Sequence, residues 1–512
     1  MAKVLFVNPV IREEDDPRHV PYGEALLAAI AIRDGHQVQV FDANAWRASD
    51  AVVAQVLGAD RWDVVALGGI TTAYRSIKHI VGLARRLAPQ ALIVAGGGFL
   101  TSMPRDIMRF LPQIDVGVVG EAFQSFPELL RRVDAEKRDW ARVPGLAWRD
   151  PKGRIIVNPE QPLLMELDTL PYPAWELFPL EVYFENSMAL FSEEGMLTRR
   201  RLDINASYGC SLICRFCFHL GIAGDMQMVE QDGERDTAFG YTRTIRYHSP
   251  RYVIDLVKYA RRRFGIDFVG FLDENLMTMH QSSGKTWLTD IARLWIEEGL
   301  QPQCIRDNVP HDPDRCSGVH WGGTSHATLC SPEVLAAIKE AGCSHLVYGY
   351  ESFSPRVMKT IGKGATPATN ERSLRWTLEA GIRPIPNQMM GFPDEDFDSI
   401  RDNVLAWNRL GLRVKPFFAT PYPGTEWYYK YKDRILEQYG GDLEAFLLDL
   451  GDATRVTAVI SKKFNAVELY GLRELMVLRD LKRIAAYEAE WDRLHPDGPW
   501  LARPAALAAA AP

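Results

Sequence analysis

Asn205-Ala-Ser-Tyr-Gly-Cys-Ser-Leu-Ile-Cys-Arg-Phe-Cys-Phe218 spaces three cysteines, Cys210, Cys214 and Cys217, as C-x-x-x-C-x-x-C. With 7 cysteines in 512 residues, chance gives such a triplet in roughly one chain in a thousand. Thiolates this close in sequence can surround one compact centre, because even an extended chain covers only about 3.3 Å per residue. Zinc sites usually show two C-x-x-C pairs or added histidines, and a ferredoxin-type cluster takes four thiolates. The next cysteine here is the distant Cys304. An iron-sulfur cluster on three thiolates, with one iron open to a small-molecule ligand, fits the spacing. Zinc completed by a cramped His219, and three inert core thiols, stay open as alternatives.

The triplet, with Phe216 just before its third cysteine, resembles the radical S-adenosylmethionine (SAM) superfamily. The resemblance implies a [4Fe-4S] cluster on Cys210, Cys214 and Cys217, with the SAM amino and carboxylate groups on the fourth iron. It implies reductive cleavage of SAM to a 5'-deoxyadenosyl radical, with electrons from an external donor such as flavodoxin or ferredoxin. The substrate is left open.

A chain of 512 residues with 47% hydrophobic content can fill two or three cores. Its net charge of -7 argues against a nucleic-acid partner held by charge. No segment has 18 uninterrupted apolar residues, and Met1 leads directly into a strand pattern, so neither a membrane span nor a signal peptide is expected. Free thiols and few cysteines suit a reducing, cytoplasmic setting.

Short apolar runs at 4–7, 37–41, 64–67, 92–95 and 116–119 alternate with helical patterns such as 23–34 and 76–87. They predict a parallel sheet covered on both faces, a doubly wound, Rossmann-like α/β domain that binds ligands at the carboxyl ends of its strands. Those ends carry Asn8, then Gly69, Thr71 and Thr72, then Gly96, Gly97 and Gly98, then Gly120 and Glu121. Glycine lets a bulky ligand approach the backbone, and threonine offers a hydroxyl. Tight strand-to-helix turns would use the same residues.

This domain directly ahead of the cysteine triplet resembles the cobalamin-dependent radical SAM class, over roughly residues 1 to 430. The phrases that carry the resemblance are Pro21-Tyr-Gly-Glu-Ala-Leu-Leu-Ala-Ala29, Gly35-His-Gln-Val-Gln-Val-Phe-Asp42, Gly96-Gly-Gly98, Val119-Gly-Glu121 and Leu167-Asp-Thr-Leu-Pro-Tyr-Pro-Ala-Trp175. The D-x-H-x-x-G signature is missing: His36 lacks the aspartate and His79 the glycine. The resemblance then implies cobalamin held at the strand ends without a histidine ligand. Tyr74 and Arg75 could approach its lower face, or Arg75 could simply be solvated.

The organisation expected is residues 1–145 for cobalamin binding, 146–198 as a hairpin and proline-rich linker, 199–430 as the radical SAM domain and 431–512 as a helical C-terminal region. Apolar runs at 202–205, 268–272, 346–348, 384–390 and 414–419, separated by helices at 250–264, 332–341, 366–380 and 399–410, resemble a partial (β/α)6 TIM-type barrel. Catalytic groups in barrels gather at strand C-termini. The resemblance assigns Asp273 or Glu274 to the SAM amino group, Glu351 and Ser352 to its ribose or methionine, and Gly391 to the adenine side. A carboxylate at a strand end can equally cap a helix.

Residues 221–249 are expected to cover the SAM site. The stretch 301–326 reads as a substrate-shaping insertion or, less conventionally, a second metal site drawn from Cys304, His311, Cys316, His320 and His326. Cys330 and Cys343 read as core residues, and any of these four thiols facing the cavity could instead donate a proton or hydrogen atom. A helix over 467–494 and a low-complexity tail close the chain.

The two cofactors together imply methyl transfer from cobalamin to a carbon radical made by SAM cleavage, hence methylation of an unactivated carbon of a small-molecule substrate. Oxidative cyclisation or ring rearrangement, as in the anaerobic magnesium-protoporphyrin monomethyl ester cyclase, is the second reading. A non-catalytic cobalamin- or metal-sensing module is the third.

Overall fold

Alternation of buried residues along the first strands builds two apolar layers on one sheet. Leu5, Val7, Val65, Leu67, Ile93 and Ala95 face one layer, and Val4, Phe6, Val64, Ala66, Leu92 and Val94 the other. A sheet covered on both faces by helices requires this pattern. The computed structural model describes residues 1–193, 198–218, 226–231, 233–241, 243–496 and 498, with side chains left aside for 188–193.

Strands β1 (Lys3–Asn8), β2 (Gln37–Asp42), β3 (Val64–Gly68), β4 (Leu92–Gly96) and β5 (Val116–Val118) are parallel in the order β2-β1-β3-β4-β5. The hairpin β6 (Leu146–Arg149) and β7 (Ile155–Val157) adds to β5 antiparallel, extending this sheet to seven strands. Its turn is set by Asp150, whose Oδ1 accepts the Lys152 and Arg154 N–H groups, both at 2.9 Å. The proline-rich segment that follows is packed: Leu167, Leu170 and Trp175 belong to the main apolar core.

The second sheet begins at β8 (Arg201–Ile204). Then come the short β9 (Ser207–Tyr208), a separate hairpin of β10 (Gln227–Gln231) and β11 (Glu234–Ala238), and β12 (Arg246–Tyr247), which pairs back onto β9. β13 (Phe268–Phe271), β14 (His320–Ser325), β15 (Cys343–Glu351), β16 (Arg383–Met390) and β17 (Phe417–Phe418) complete a six-stranded parallel sheet in the order β17-β16-β15-β14-β13-β8. Intervening helices include Pro250–Phe264, Trp287–Glu297, Pro332–Glu340, Pro367–Glu379 and Phe397–Leu410. The first starts on a Ser249 cap with Pro250 in its first turn and stops at the left-handed Gly265. The sixth strand is shorter than the apolar run 414–419 suggests, because Pro416 has no N–H to offer the ladder.

The C-terminal helix expected over 467–494 is two helices, Ala466–Leu478 and Leu481–Leu494. Arg479 takes a left-handed φ of 56° between them, and Asp480 caps the second. Helix Leu443–Asp449 packs on the first domain, with Phe446 and Leu447 in one cluster with Tyr74, Ile77 and Val81. Tyr74 OH donates to Glu444 at 2.6 Å and Arg75 Nη2 to the Leu448 carbonyl at 2.6 Å. Both side chains are therefore spent on this helix. Among the described residues no helix is long and apolar enough to cross a membrane.

Buried polar links join the two sheets. Arg246 Nη1 of β12 lies 2.6 Å from Glu121 Oε2, both side chains nearly inaccessible, and Glu121 Oε1 accepts the Leu164 N–H at 2.9 Å. Asp203 of β8 meets His19 at 2.5 Å and Arg201 at 2.7 Å. Burial alone would raise the Asp203 carboxyl, but the charges of Arg201 and His19 outweigh it and hold it at about 2. A depressed folded value contributes stability above the unfolded value of about 4 and loses it as pH falls toward 2. The unfolding free-energy difference between wild type and Asp203→Asn is therefore expected to shrink by roughly 2–3 kcal/mol between pH 5 and pH 2 in urea titrations. A difference independent of pH would contradict this assignment.

Candidate functional site

Past β8, the turn into β9 is fixed from below by Asp273 at the end of β13, which accepts the Ala206 N–H at 3.2 Å and the Ser207 hydroxyl. β9 and β12 then close a long excursion, residues 209–245. Its neck is tight: Gly209 has a φ of 97°, and a Cβ there would overlap the Thr244 carbonyl oxygen. Cys210 emerges from this neck beside Thr278, with its Sγ 3.8 Å from Oγ1.

Cys214 and Cys217 sit on one turn, in which the Cys217 N–H donates to the Cys214 carbonyl at 3.1 Å. The backbone of Arg215 hangs that turn between two neighbours, donating to the Ile361 carbonyl and accepting the Trp427 N–H, both at 3.3 Å. Phe216 anchors it against Trp427, 5.6 Å between ring centroids, on a cluster containing Val357, Met358, Ile361 and Phe392. His219, the other residue of the zinc alternative, lies outside the described residues, as does part of 221–249.

Burial dominates the electrostatics at the loop, against a smaller opposing pull from Lys363 and Arg243. Burial pushes all three thiols up, Cys214 to about 11 and Cys217 higher still. They become thiolates only against added positive charge, which a metal cluster supplies.

The C-terminal ends of the strands around this loop carry converging polar groups. Glu274 follows Asp273; burial raises its carboxyl to about 7, and its charge acts on both Cys210 and Cys217. At the end of β15, Glu351 adopts a left-handed φ of 58° and pairs with Lys363 at 2.6 Å, both side chains buried. Gly349 makes the room: a Cβ there would lie 2.6 Å from Lys363 Nζ. Burial opposes the Lys363 charge, but Glu351 and Cys214 outweigh it and raise its value. The ammonium also lies 5.8 Å from the Phe216 ring centroid.

Two members of this edge, Lys363 and Gln388, escape a sequence reading, and a third, His326, enters it only as a candidate ligand of the second metal site. Lys363 stands between Gly362 and Gly364, a Gly-Lys-Gly signal with no motif attached. His326, after β14, binds Thr328 through Nδ1 at 2.8 Å while Nε2 is buried without a partner; burial and then Lys363 hold its value down at about 3, so the ring is neutral. Gln388 of β16, beside Glu351 in the ladder, is fully buried with neither amide atom hydrogen-bonded.

Other expected residues lie behind the edge. Asp273 is committed to the β9 turn. Ser352 Oγ donates to Asn403 at 3.1 Å within the packing, and the Gly391 N–H is taken by Glu395. Cys330 contacts Tyr348 OH at 3.1 Å in the core, and Cys343 is buried at the start of β15. Of the stretch 301–326, expected to shape the substrate, residues 301–319 precede β14 and sit at the opposite, N-terminal edge of the sheet, and the remainder is β14 with His326 at its end.

In the first sheet the ends of β3 and β4 pack backbone to backbone. A Cβ on Gly68 would lie 2.7 Å from the Gly96 carbonyl oxygen, and one on Gly97 2.8 Å from that of Gly69. Gly98 opens helix Gly98–Ser102, and the Gly120 N–H donates to Thr101 Oγ1 at 3.0 Å. The Thr71 and Thr72 hydroxyls beside them are buried without partners. Asn8 is engaged by Asp42 at 2.8 Å, and Glu121 by Arg246.

Residues 204–405 match the Radical SAM superfamily and residues 10–130 the B12 binding domain. An uncharacterized methyltransferase, PH0819 of Pyrococcus horikoshii, is 25% identical over 442 residues, 85% of this chain and 84% of the relative. The anaerobic magnesium-protoporphyrin IX monomethyl ester cyclase of Rubrivivax gelatinosus is 22% identical over 447 residues, 85% and 70% of the two chains. The fold is similar to that of the radical SAM methyltransferase TsrM from Kitasatospora setae, solved with cobalamin and a [4Fe-4S] cluster bound. The TM-score is 0.63 at 18% identity, covering 85% of this chain and 79% of that one.

Removing one partner of a buried ion pair strands the other charge. Lys363→Met is expected to cost about 3–5 kcal/mol in urea unfolding of the iron-free protein, and the Glu351→Leu/Lys363→Met double variant to recover more than half of it. A double variant no more stable than the single one would show that the pair is not what holds this corner.

Proposed function

We propose that this chain, which belongs to the radical SAM superfamily and to its class with an N-terminal B12-binding domain, methylates an unactivated carbon of a small molecule. The observation that carries the reading is how the two strand edges are joined. The excursion that bears the cysteines is bolted to the strand ends of the first sheet, through Arg246 on Glu121 and through Thr237 Oγ1 of β11, which donates to the Thr101 carbonyl at 2.9 Å. A ligand at the Thr71 and Thr72 edge and one at the cysteine edge would then share one site.

The residues present fit both cofactors. Cys210, Cys214 and Cys217 would hold the cluster, and Glu274 beside two of them would accept hydrogen bonds from the SAM amino group. The Glu351–Lys363 pair, the neutral His326 and the unbonded Gln388 amide would orient SAM or substrate polar groups. Cobalamin would lie at the ends of β3 and β4, where the glycines let the two turns close on each other, with Thr71 and Thr72 hydrogen-bonding it. When bound, the cluster with SAM supplies a radical that removes a hydrogen atom from carbon, and cobalamin supplies the methyl group for that carbon. The chain's part is to bind, orient and exclude water. Its electrons would come from a flavodoxin- or ferredoxin-like donor.

Cyclisation is the second reading, favoured by the similarity to the cyclase. Anaerobic turnover with cobalamin, SAM and reductant separates the readings. Methylation yields S-adenosylhomocysteine beside 5'-deoxyadenosine and a product heavier by one methylene. 5'-Deoxyadenosine without S-adenosylhomocysteine would point to cyclisation, and SAM left intact under strong reductant would overturn both. The Thr71→Val/Thr72→Val variant is expected to retain cobalamin about tenfold more weakly, the loss of one or two net hydrogen bonds, with its iron load unchanged. Unaltered cobalamin retention would remove these hydroxyls from the site.

A further inference from the structure

Cys304, His311, Cys316 and His320 form a second constellation, at the edge of the barrel sheet farthest from the reaction. Cys304 is buried on the short helix Gln303–Arg306, His311 and Cys316 follow in the loop, and His320 is the first residue of β14. Cys304 Sγ lies 3.5 Å from His311 Nδ1 and 3.4 Å from His320 Nε2, and those two ring nitrogens are 3.2 Å apart. With Cys316 Sγ, one ligand atom from each residue falls within 4.8 Å of all the others.

The three separations among Cys304 Sγ, His311 Nδ1 and His320 Nε2 are those of one face of a tetrahedron around a metal, and Cys316 Sγ is near enough to supply its fourth corner. Zinc bonds of about 2.3 Å to sulfur and about 2.0–2.1 Å to nitrogen place sulfur and nitrogen about 3.6 Å apart and two nitrogens about 3.3 Å apart. Each observed distance agrees to within about 0.2 Å of that geometry. The Cys304 N–H donates to Cys316 Sγ at 3.2 Å, a support that ligating thiolates commonly have. Two thiolates and two neutral imidazoles balance a dipositive ion, and binding releases the two thiol protons to solvent.

We propose that Cys304, His311, Cys316 and His320 bind a structural Zn2+ ion. Four protein ligands close the coordination sphere and leave no position for substrate or water. Soft thiolates with imidazoles in a tetrahedron select zinc over magnesium, calcium or manganese. The place in the fold gives the role. His320 pairs with Phe268 at the N-terminal start of the parallel strands, the barrel face that serves stability. The ion staples the loop that follows helix Trp287–Glu297 to the first residue of a central strand. The spacing, C-x6-H-x4-C-x3-H, matches no standard motif, and only the fold brings the four ligands together.

The test uses the full chain, purified anaerobically without chelator from zinc-supplemented medium, with metals counted by inductively coupled plasma mass spectrometry. About one zinc per chain is expected, independent of the iron load, and X-ray absorption at the zinc edge is expected to show two sulfur neighbours at about 2.3 Å and two nitrogens at about 2.0 Å. The zinc edge is blind to iron, so the cluster does not interfere. Cys304→Ser/Cys316→Ser is expected to lose the zinc and a measurable part of the thermal stability while keeping its iron and sulfide. Zinc-free wild type, mononuclear iron in its place, a zinc shell without sulfur, or a soluble variant that keeps its zinc would each overturn the proposal. The wild-type count and the absorption edge decide the matter if the variant does not fold.

Discussion

Burial makes thiolates expensive, and the cysteine loop buries Cys210 and Cys214 and half-buries Cys217. Within reach of Cys214 the fold provides a buried ammonium, Lys363, but that charge is already committed to Glu351. In the proposed cluster site, the rest of the positive charge that Cys210, Cys214 and Cys217 need would come from the iron they hold. The surroundings are arranged around that requirement: the Gly209 neck aims Cys210, the backbone of Arg215 is slung between Ile361 and Trp427, and Phe216 is wedged against an apolar cluster. A loop so held presents its sulfurs without having to order itself on binding, which spares conformational entropy.

The same loop couples the two halves of the molecule. Its flanking strands carry Thr237 and Arg246, which reach the helix and turn at the ligand edge of the first sheet. The pair Arg246–Glu121 is buried, so its worth lies less in net stability than in fixing one relative placement of the sheets, because breaking either half strands a charge. Helix Leu443–Asp449 fastens the opposite side through Tyr74 and Lys78. The C-terminal strand edges of a Rossmann-like sheet and of a partial barrel are thus held together by polar contacts between residues far apart in sequence.

Periodicity made the strands legible. The first sheet is buried on both faces, so Val4-Leu-Phe-Val7 and its partners stand out as continuous apolar runs. The cysteine motif was legible because its chemistry needs ligands close in sequence. What stayed hidden depends on distant partners. Asn8 and Glu121 look available at strand ends until Asp42 and Arg246 engage them, and Tyr74 and Arg75 until the C-terminal helix takes them. Nothing local marks His326 or Gln388 as buried groups lacking partners, and only the two flanking glycines hint at Lys363. The break at Arg479 rests on one left-handed residue that no glycine announces.

The central claim is a four-iron cluster on three cysteines whose fourth iron takes SAM. Mössbauer spectroscopy of protein reconstituted anaerobically with 57Fe, recorded before and after SAM is added, tests it most directly. One iron of the cluster should change its isomer shift and quadrupole splitting on SAM addition while the other three keep theirs. A spectrum indifferent to SAM, or one without a four-iron cluster, would contradict the account.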